Sequence, residues 1–192
     1  MIIHLIRHGR TIANENHLYC GATDIPLTQL GKQELILLKS QINYPKSNLI
    51  IASGLLRTMQ TANILFDNKK LEVIEDLQEI NFGDFEMRGY KQLKSDLEYQ
   101  RWISDIEVNL PPNGEGKPHF IKRVINGFKK AECLCKNKGE ESAVIVTHGG
   151  VIAILMENFF PHQKNFYQWQ PTFGRGYTLC FDNPDNINYK EI

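Results

Sequence analysis

No apolar run in this sequence approaches the roughly 18 residues that a membrane-spanning helix needs. The first apolar stretch is only about five residues long, with no basic region before it and no small-residue cleavage site behind it, so the chain reads as soluble and cytoplasmic. Net charge is missing too: 22 Lys+Arg balance 22 Asp+Glu. Neither a general nucleic-acid role nor a membrane-surface role is expected, and any basic site must be local. The four cysteines, Cys20, Cys133, Cys135 and Cys180, form no CxxC pair and no finger pattern. Cys133 and Cys135 fall on one expected helix, two residues apart and facing away from each other, so free and mostly buried thiols are expected rather than a shared metal. No HExxH pattern and no clustered aspartates accompany His4, His8, His17 and His148, so neither a metal nor a cofactor is expected. Internal repeats, low-complexity segments and heptads are also lacking, which leaves the oligomeric state unread.

What is present is 192 residues, 42% hydrophobic and 23% charged, enough for one core, so residues 1–192 read as a single domain. Ile2-Ile3-His4-Leu5-Ile6 is a short, β-branched apolar run that breaks into Arg7-His8-Gly9-Arg10-Thr11, and Asn14 follows. Such a run suits a strand buried on both faces of a parallel sheet. His8 then stands at the carboxyl end of that strand, where ligands collect in open α/β sheets. Arg7 supplies a planar fork of donors suited to phosphate. Gly9 is expected to let the backbone approach the ligand, and Asn14 offers an amide donor. Ala143-Val144-Ile145-Val146-Thr147 breaks in the same manner into His148-Gly149-Gly150. Parallel neighbours would bring both imidazoles to one sheet edge, with the helix from Val151 pointing its amino end there.

Between these two breaks, Thr28 is a plausible N-cap for a helix carrying Leu35, Leu38 and Ile42. Asp24 and Thr28 are read as residues that launch this helix. Residues 48–52 read as a strand, and Ser53-Gly54 opens a helix with Leu55, Met59, Ala62 and Phe66 at helical spacing. Arg57 lies off that stripe in the first turn, where free N–H groups already favour an anion. Residues 71–74 suggest another strand, residues 90–106 a helix with Leu93, Leu97, Arg101 and Trp102 near one face, and residues 111–116 an irregular loop. Phe120, Val124, Phe128, Ala131 and Cys135 mark a long amphipathic helix. Residues 176–181 and 187–189, around a turn at 182–186, read as a terminal hairpin at a sheet edge.

Arg7-His8-Gly9-Arg10-Thr11 with Asn14, the stretch from Ser53 to Ala62, the stretch from Leu77 to Glu86 and Thr147-His148-Gly149-Gly150 together resemble the four motifs of the histidine phosphatase superfamily. They occur in that family's order and span residues 7–150. The resemblance implies a phosphoglycerate mutase-like α/β fold, a three-layer sandwich with a mostly parallel central sheet flanked by helices, and a helical cap around residues 84–120. It implies His8 as nucleophile, Arg7, Arg57 and His148 on the phosphoryl oxygens and Glu79 as proton donor. Asn14, Cys20, Gly21 and Gly149 are implied at the substrate. Glu86 is a competing carboxylate in the same loop, and spacing from Phe82-Gly83 favours Glu79. Two departures stand out: Met87 replaces a usual glycine, and Gly116 replaces a frequent serine N-cap, a loss worth on the order of 1 kcal/mol that would loosen the helix start.

The implied activity is metal-independent phosphomonoester hydrolysis through a phosphohistidine, on a small-molecule phosphate ester. The same machinery serves phosphoglycerate mutases, but those are generally longer between the third and last motifs, where this chain has only about 60 residues. Its compactness and the Tyr19-Cys20-Gly21-Ala22-Thr23-Asp24 loop look more like the α-ribazole phosphatase group, which would place it in cobalamin biosynthesis. Mutase-type transfer and a non-catalytic phosphate- or phosphoprotein-binding module remain the alternatives.

Overall fold

The computed structural model describes residues 1–183 and 186–192. Strands are β1 (Ile2–Arg7), β2 (Leu49–Ala52), β3 (Leu71–Val73), β4 (Ser142–Thr147), β5 (Gly176–Asn183) and β6 (Asn186–Glu191). Helices are α1 (Ile12–Glu15), α2 (Gln29–Gln41), α3 (Leu56–Leu65), α4 (Tyr90–Leu93), α5 (Leu97–Ser104), α6 (Lys117–Asn137) and α7 (Gly149–Phe159). One sheet runs in the order β3-β2-β4-β1-β5-β6. β1, β2, β3 and β4 are mutually parallel, and β5 and β6 close the other edge as an antiparallel hairpin. The turn expected at 182–186 centres on residues 184 and 185, which lie outside the described residues.

Side-chain alternation sorts the layers. Ile3 and Leu5 of β1, Ile51 of β2 and Ile145 of β4 pack on one face beneath α6 and α7, whereas Ile6, Ile50, Val144 and Val146 pack on the other with Leu35 of α2 and Leu65 of α3. A sheet buried on both faces needs apolar residues at consecutive positions, and this explains why β1 and β4 read as unbroken apolar runs. The result is the expected three-layer sandwich. The α6 stripe from Phe120 to Cys135 is buried throughout. Thr28 caps α2 by accepting from the Gly31 N–H at 3.0 Å. No helix among the described residues is long and apolar enough to cross a membrane.

Several expectations need correction. The helix expected over 90–106 is broken into α4 and α5, because the Asp96 carboxylate accepts from the Glu98 and Tyr99 N–H groups at 3.0 and 3.4 Å and starts a new helix. The break rotates Leu97 out to 82% exposure, while Leu93 and Trp102 join Phe85 and Tyr99 in a separate aromatic cluster. Helix α3 starts at Leu56 rather than 53, after Gly54 takes a left-handed φ of 92°. Cys135 is buried but Cys133 is exposed, so the free thiols are not mostly buried. Met87 holds a left-handed φ of 58° where a glycine was expected, so the turn survives the departure at a cost in backbone strain. Gly116 does cap α6 without a side-chain bond, in an extended conformation.

Candidate active site

Arg7 of β1 pairs with Thr147 of β4, so the next residue on each strand leaves the sheet at the same level. Those residues are His8 and His148, with ring centroids 5.2 Å apart and planes at 63°. His8 is held on both sides of its chain: its N–H donates to the Thr147 carbonyl at 2.9 Å, and its Nδ1 lies 2.7 Å from the Gly9 carbonyl. A carbonyl only accepts, so Nδ1 carries the proton and Nε2 carries the lone pair. His148 is set as firmly. Arg57 Nε donates to its Nδ1 at 3.3 Å, which puts the proton on Nε2, 2.8 Å from Ser53 Oγ. Ser53 hands on to Thr58 Oγ1, and Thr58 to the Leu55 carbonyl. Burial, then the Arg57 charge, pushes both imidazoles well below the usual histidine value, with Arg7 adding to the effect.

Arg57 is 1% exposed. Its guanidinium donates to the Gly21 and Thr23 carbonyls at 2.6 and 2.9 Å, so the 21–23 loop fixes its plane. Arg7 donates to the Pro171 carbonyl at 2.8 Å and stacks 4.5 Å from the Phe173 ring centroid, whose ring Arg10 also approaches at 4.9 Å. Arg7 Nε is buried with no hydrogen-bond partner among the described residues. An unsatisfied buried donor costs about 1–3 kcal/mol, and an anion in the pocket would remove that cost.

Glu79 faces these cations from the loop after β3. Its two oxygens accept from the Gly150 and Ile80 N–H groups at 2.9 and 3.1 Å. Burial raises its pKa, and it outweighs the amides and the two arginine charges that pull the other way. Glu86 does something else. It accepts from the N–H groups of Gly21, Ala22, Thr23 and Phe82 and, at 2.6 Å, from the Thr23 hydroxyl. It ties the 21–23 loop to the 82–86 turn and has little acceptor capacity left for chemistry.

Of the residues expected at the substrate, Asn14 spends its carbonyl oxygen in a capping box with Thr11, and its amide nitrogen has no partner among the described residues. Cys20 is half-buried, with burial pushing its thiol up, and lies within electrostatic reach of Arg57 and Glu79. Gly21 has its N–H on Glu86 and its carbonyl on Arg57, so it is a joint of the loop. A Cβ on Gly149 would sit 3.1 Å from Arg7 Cζ. The expectation for Gly9 is corrected: a Cβ there would meet Leu35 Cδ1 at 2.7 Å, so the glycine lets α2 pack close rather than a ligand. Asp24 accepts from the Leu56 N–H at 2.7 Å and serves the start of α3. His4 is a core residue facing the Thr178 hydroxyl at 2.9 Å.

Sequence reasoning missed Ser53, Thr61, Gly150, Pro171 and Phe173. Thr61 Oγ1 accepts from the Gly9 N–H at 2.9 Å and donates to the Arg57 carbonyl at 2.6 Å, joining the two motifs. Ser53, Thr61 and Gly150 lay inside quoted motifs, so their positions were available. Pro171 and Phe173 come from a stretch after α7 without periodicity or motif.

The sequence was compared with known proteins. It is 33% identical over 160 residues to the adenosylcobalamin/α-ribazole phosphatase of Escherichia coli (strain K12), covering 81% of this chain and 77% of that protein. The crystal structure of the α-ribazole phosphatase from Shigella flexneri superposes with a TM-score of 0.85 at 27% identity, over 99% of this chain and 95% of that one. A phosphoglycerate mutase from Bacillus anthracis shares the fold, with a TM-score of 0.79 at 20% identity over 100% of this chain and 92% of that one. The family model for the histidine phosphatase superfamily (branch 1) matches residues 3–177, through all four motifs. The chain therefore belongs to branch 1 of the histidine phosphatase superfamily.

Proposed function

We propose that this phosphatase hydrolyses small phosphomonoesters through a phosphohistidine on His8, and that α-ribazole 5′-phosphate, named by its relatives, is the first substrate to test. The observation that carries the mechanism is the tautomer of His8. With Nδ1 committed to the Gly9 carbonyl, Nε2 is a fixed nucleophile beside the buried Arg57 and the half-buried Arg7. Nε2 attacks phosphorus in line, and the P–O ester bond breaks as Glu79 gives its proton to the departing alkoxide. Arg7, with its unspent Nε, and Arg57 hold the equatorial oxygens, and the Asn14 amide completes the cradle. His148 is neutral and presents Nδ1. That Nδ1 accepts from Arg57 Nε, so His148 sets the guanidinium that holds the phosphoryl oxygens and stays neutral throughout. In the second step the Glu79 carboxylate takes a proton from water, the water oxygen attacks phosphorus, the P–N bond breaks, and His8 and inorganic phosphate are released.

Residues 1–192 act in this reading as one domain, with residues 84–120 as its cap. The cluster of Phe85, Leu93, Tyr99 and Trp102 supports that, and Gly114, Glu115, Gly116 and His119 line a cavity that Glu79 also lines. Four free thiols suit a reducing cytoplasm. The test is hydrolysis of a panel of phosphate monoesters, α-ribazole 5′-phosphate, 3-phosphoglycerate and sugar phosphates among them, by wild type and His8→Ala with EDTA throughout. Turnover in EDTA that the variant loses supports the reading. Wild type inert on every ester, or matched by His8→Ala, overturns it and favours a phosphate-binding module.

A further inference from the structure

A phosphatase and a mutase of this family differ in what they must hold beyond the phosphoryl group, and this chain has a cleft at that place. Glu79, the proton donor of the proposed function, opens into a cavity of about 540 Å³ whose far wall is built from the 75–81 loop and the start of α6. None of His8, Arg7, Arg57 and His148 lines it, so the cavity lies beyond the phosphoryl site, where a leaving group protonated by Glu79 would extend.

The guanidinium in that wall belongs to Arg123, and all five of its N–H groups are spent. Nε and NH2 donate to the two oxygens of Glu115 at 3.0 and 2.7 Å, NH1 donates to the Asp76 and Gln78 carbonyls at 2.9 Å each, and NH2 also reaches the Glu79 carbonyl at 3.2 Å. Its charge is matched by Glu115, and its donors are consumed in bracing the loop that carries Glu79. The Asp76 carboxylate is paired with Lys130 at 2.7 Å. Glu75 is left as an exposed carboxylate with no ion pair among the described residues. The cleft offers acceptors and a negative charge, and its guanidinium has no donor left for a second anion.

We propose, resting on the phosphatase reading, that the Glu115–Arg123 pair and Glu75 make this cleft a charge filter: it accepts uncharged polyol or nucleoside leaving groups and rejects those bearing a carboxylate or second phosphate. An anionic leaving group would meet Glu75, while the other basic groups of the lining, Arg123 and His119, are both turned onto Glu115, His119 Nδ1 at 2.5 Å from its Oε1, and like-charge contact is how interfaces reject wrong partners. A polyol finds carboxylate and amide acceptors for its hydroxyls.

The matched pair for the test is glycerol 3-phosphate and 3-phosphoglycerate, which share a three-carbon skeleton and differ by a hydroxymethyl against a carboxylate. The ratio of kcat/KM for the two is measured in wild type and in Glu75→Lys, with Glu75→Gln as a milder second variant. If neither ester is turned over, competition against p-nitrophenyl phosphate gives the ratio of their inhibition constants, which reads the same preference in binding. Wild type is expected to favour glycerol 3-phosphate by about tenfold or more. Glu75→Lys is expected to shrink the preference several-fold by raising kcat/KM for 3-phosphoglycerate, with Glu75→Gln intermediate. A wild-type ratio near or below one, or a ratio unmoved in both variants, overturns the filter while leaving the phosphatase reading standing. Failure of that reading looks different: wild type would not hydrolyse p-nitrophenyl phosphate at all.

Discussion

The Gly150 N–H donates to Glu79 Oε2 at 2.9 Å, and a Cβ on Gly150 would stand 2.4 Å from the other carboxylate oxygen. The acid is thus held by the first turn of the helix that follows His148, and glycine is the residue that permits it. Gly150→Ala is expected to fold normally, because the atom it displaces is the end of a flexible side chain. It should lower kcat about tenfold to a hundredfold on alkyl phosphates and much less on p-nitrophenyl phosphate, whose leaving group needs little protonation. Steady-state kinetics on the two ester types checks this, and an equal loss on both would point to a disturbed phosphate site instead.

The rate should be highest from acid to neutral pH. His8 must be neutral to attack, and burial with the Arg57 and Arg7 charges lowers its pKa, so the acid limb falls below the usual 6.5. Glu79 must start protonated, and burial raises its pKa, so the alkaline limb falls above the usual 4.5. A kcat/KM profile measured with an alkyl phosphate, whose leaving group depends on the acid, in wild type and Glu79→Gln checks the assignment, since the residual rate of the variant should lack the alkaline limb. A wild-type rate still rising above pH 9 would contradict it.

The parts of this site that were legible in the sequence are those fixed by local pattern. Two apolar runs, each ending in histidine and glycine, announced buried strands, and parallel register then placed His8 beside His148. Arg57 in a first turn announced an anion site, and the structure finds it buried rather than merely off the apolar stripe. What stayed hidden depends on distant approach. Gly9 and Gly21 are glycines because Leu35 and the Ile80 carbonyl crowd them, and nothing in the neighbouring residues records that. Residues 94–96 look helical by composition until Asp96 is seen capping α5. Phe173 reaches Arg7 from an aperiodic stretch, and packing alone places it.

Gly21→Ala should damage the fold as well as the site. The added Cβ would lie 1.6 Å from the Ile80 carbonyl oxygen, a backbone atom that cannot rotate away. The loop must shift, and Glu86 and Arg57 lose the geometry of their contacts. A loss of about 2–3 kcal/mol is expected from such overpacking, together with most of the activity. Urea unfolding beside an activity assay checks it, and a variant with wild-type stability would contradict the close approach.

Stability should fall in mild acid. Burial and the Lys190 charge lower the pKa of His4 to about 4, so the folded state refuses a proton that the unfolded chain accepts near 6.5. The stabilisation from this group is complete above about 6.5 and is lost as pH falls toward about 4, at a slope of roughly 1.4 kcal/mol per pH unit when one proton is involved. His4→Gln, which keeps a polar group against Thr178, should make that part of the profile shallower by one proton's share, with His8 and His148 still contributing theirs. Thermal melts of both proteins between pH 4 and 8 check this, and parallel profiles would contradict it.

The decisive observation is where phosphate resides during turnover. Wild type and Glu79→Gln are mixed with p-nitrophenyl phosphate and quenched in base, which preserves phosphohistidine, and the labelled position is mapped by mass spectrometry of peptides. Phosphate on His8, accumulating in Glu79→Gln because water is no longer activated, is the expected result. Steady turnover with no phosphate on His8 at any time, or with phosphate on another residue, would contradict the mechanism.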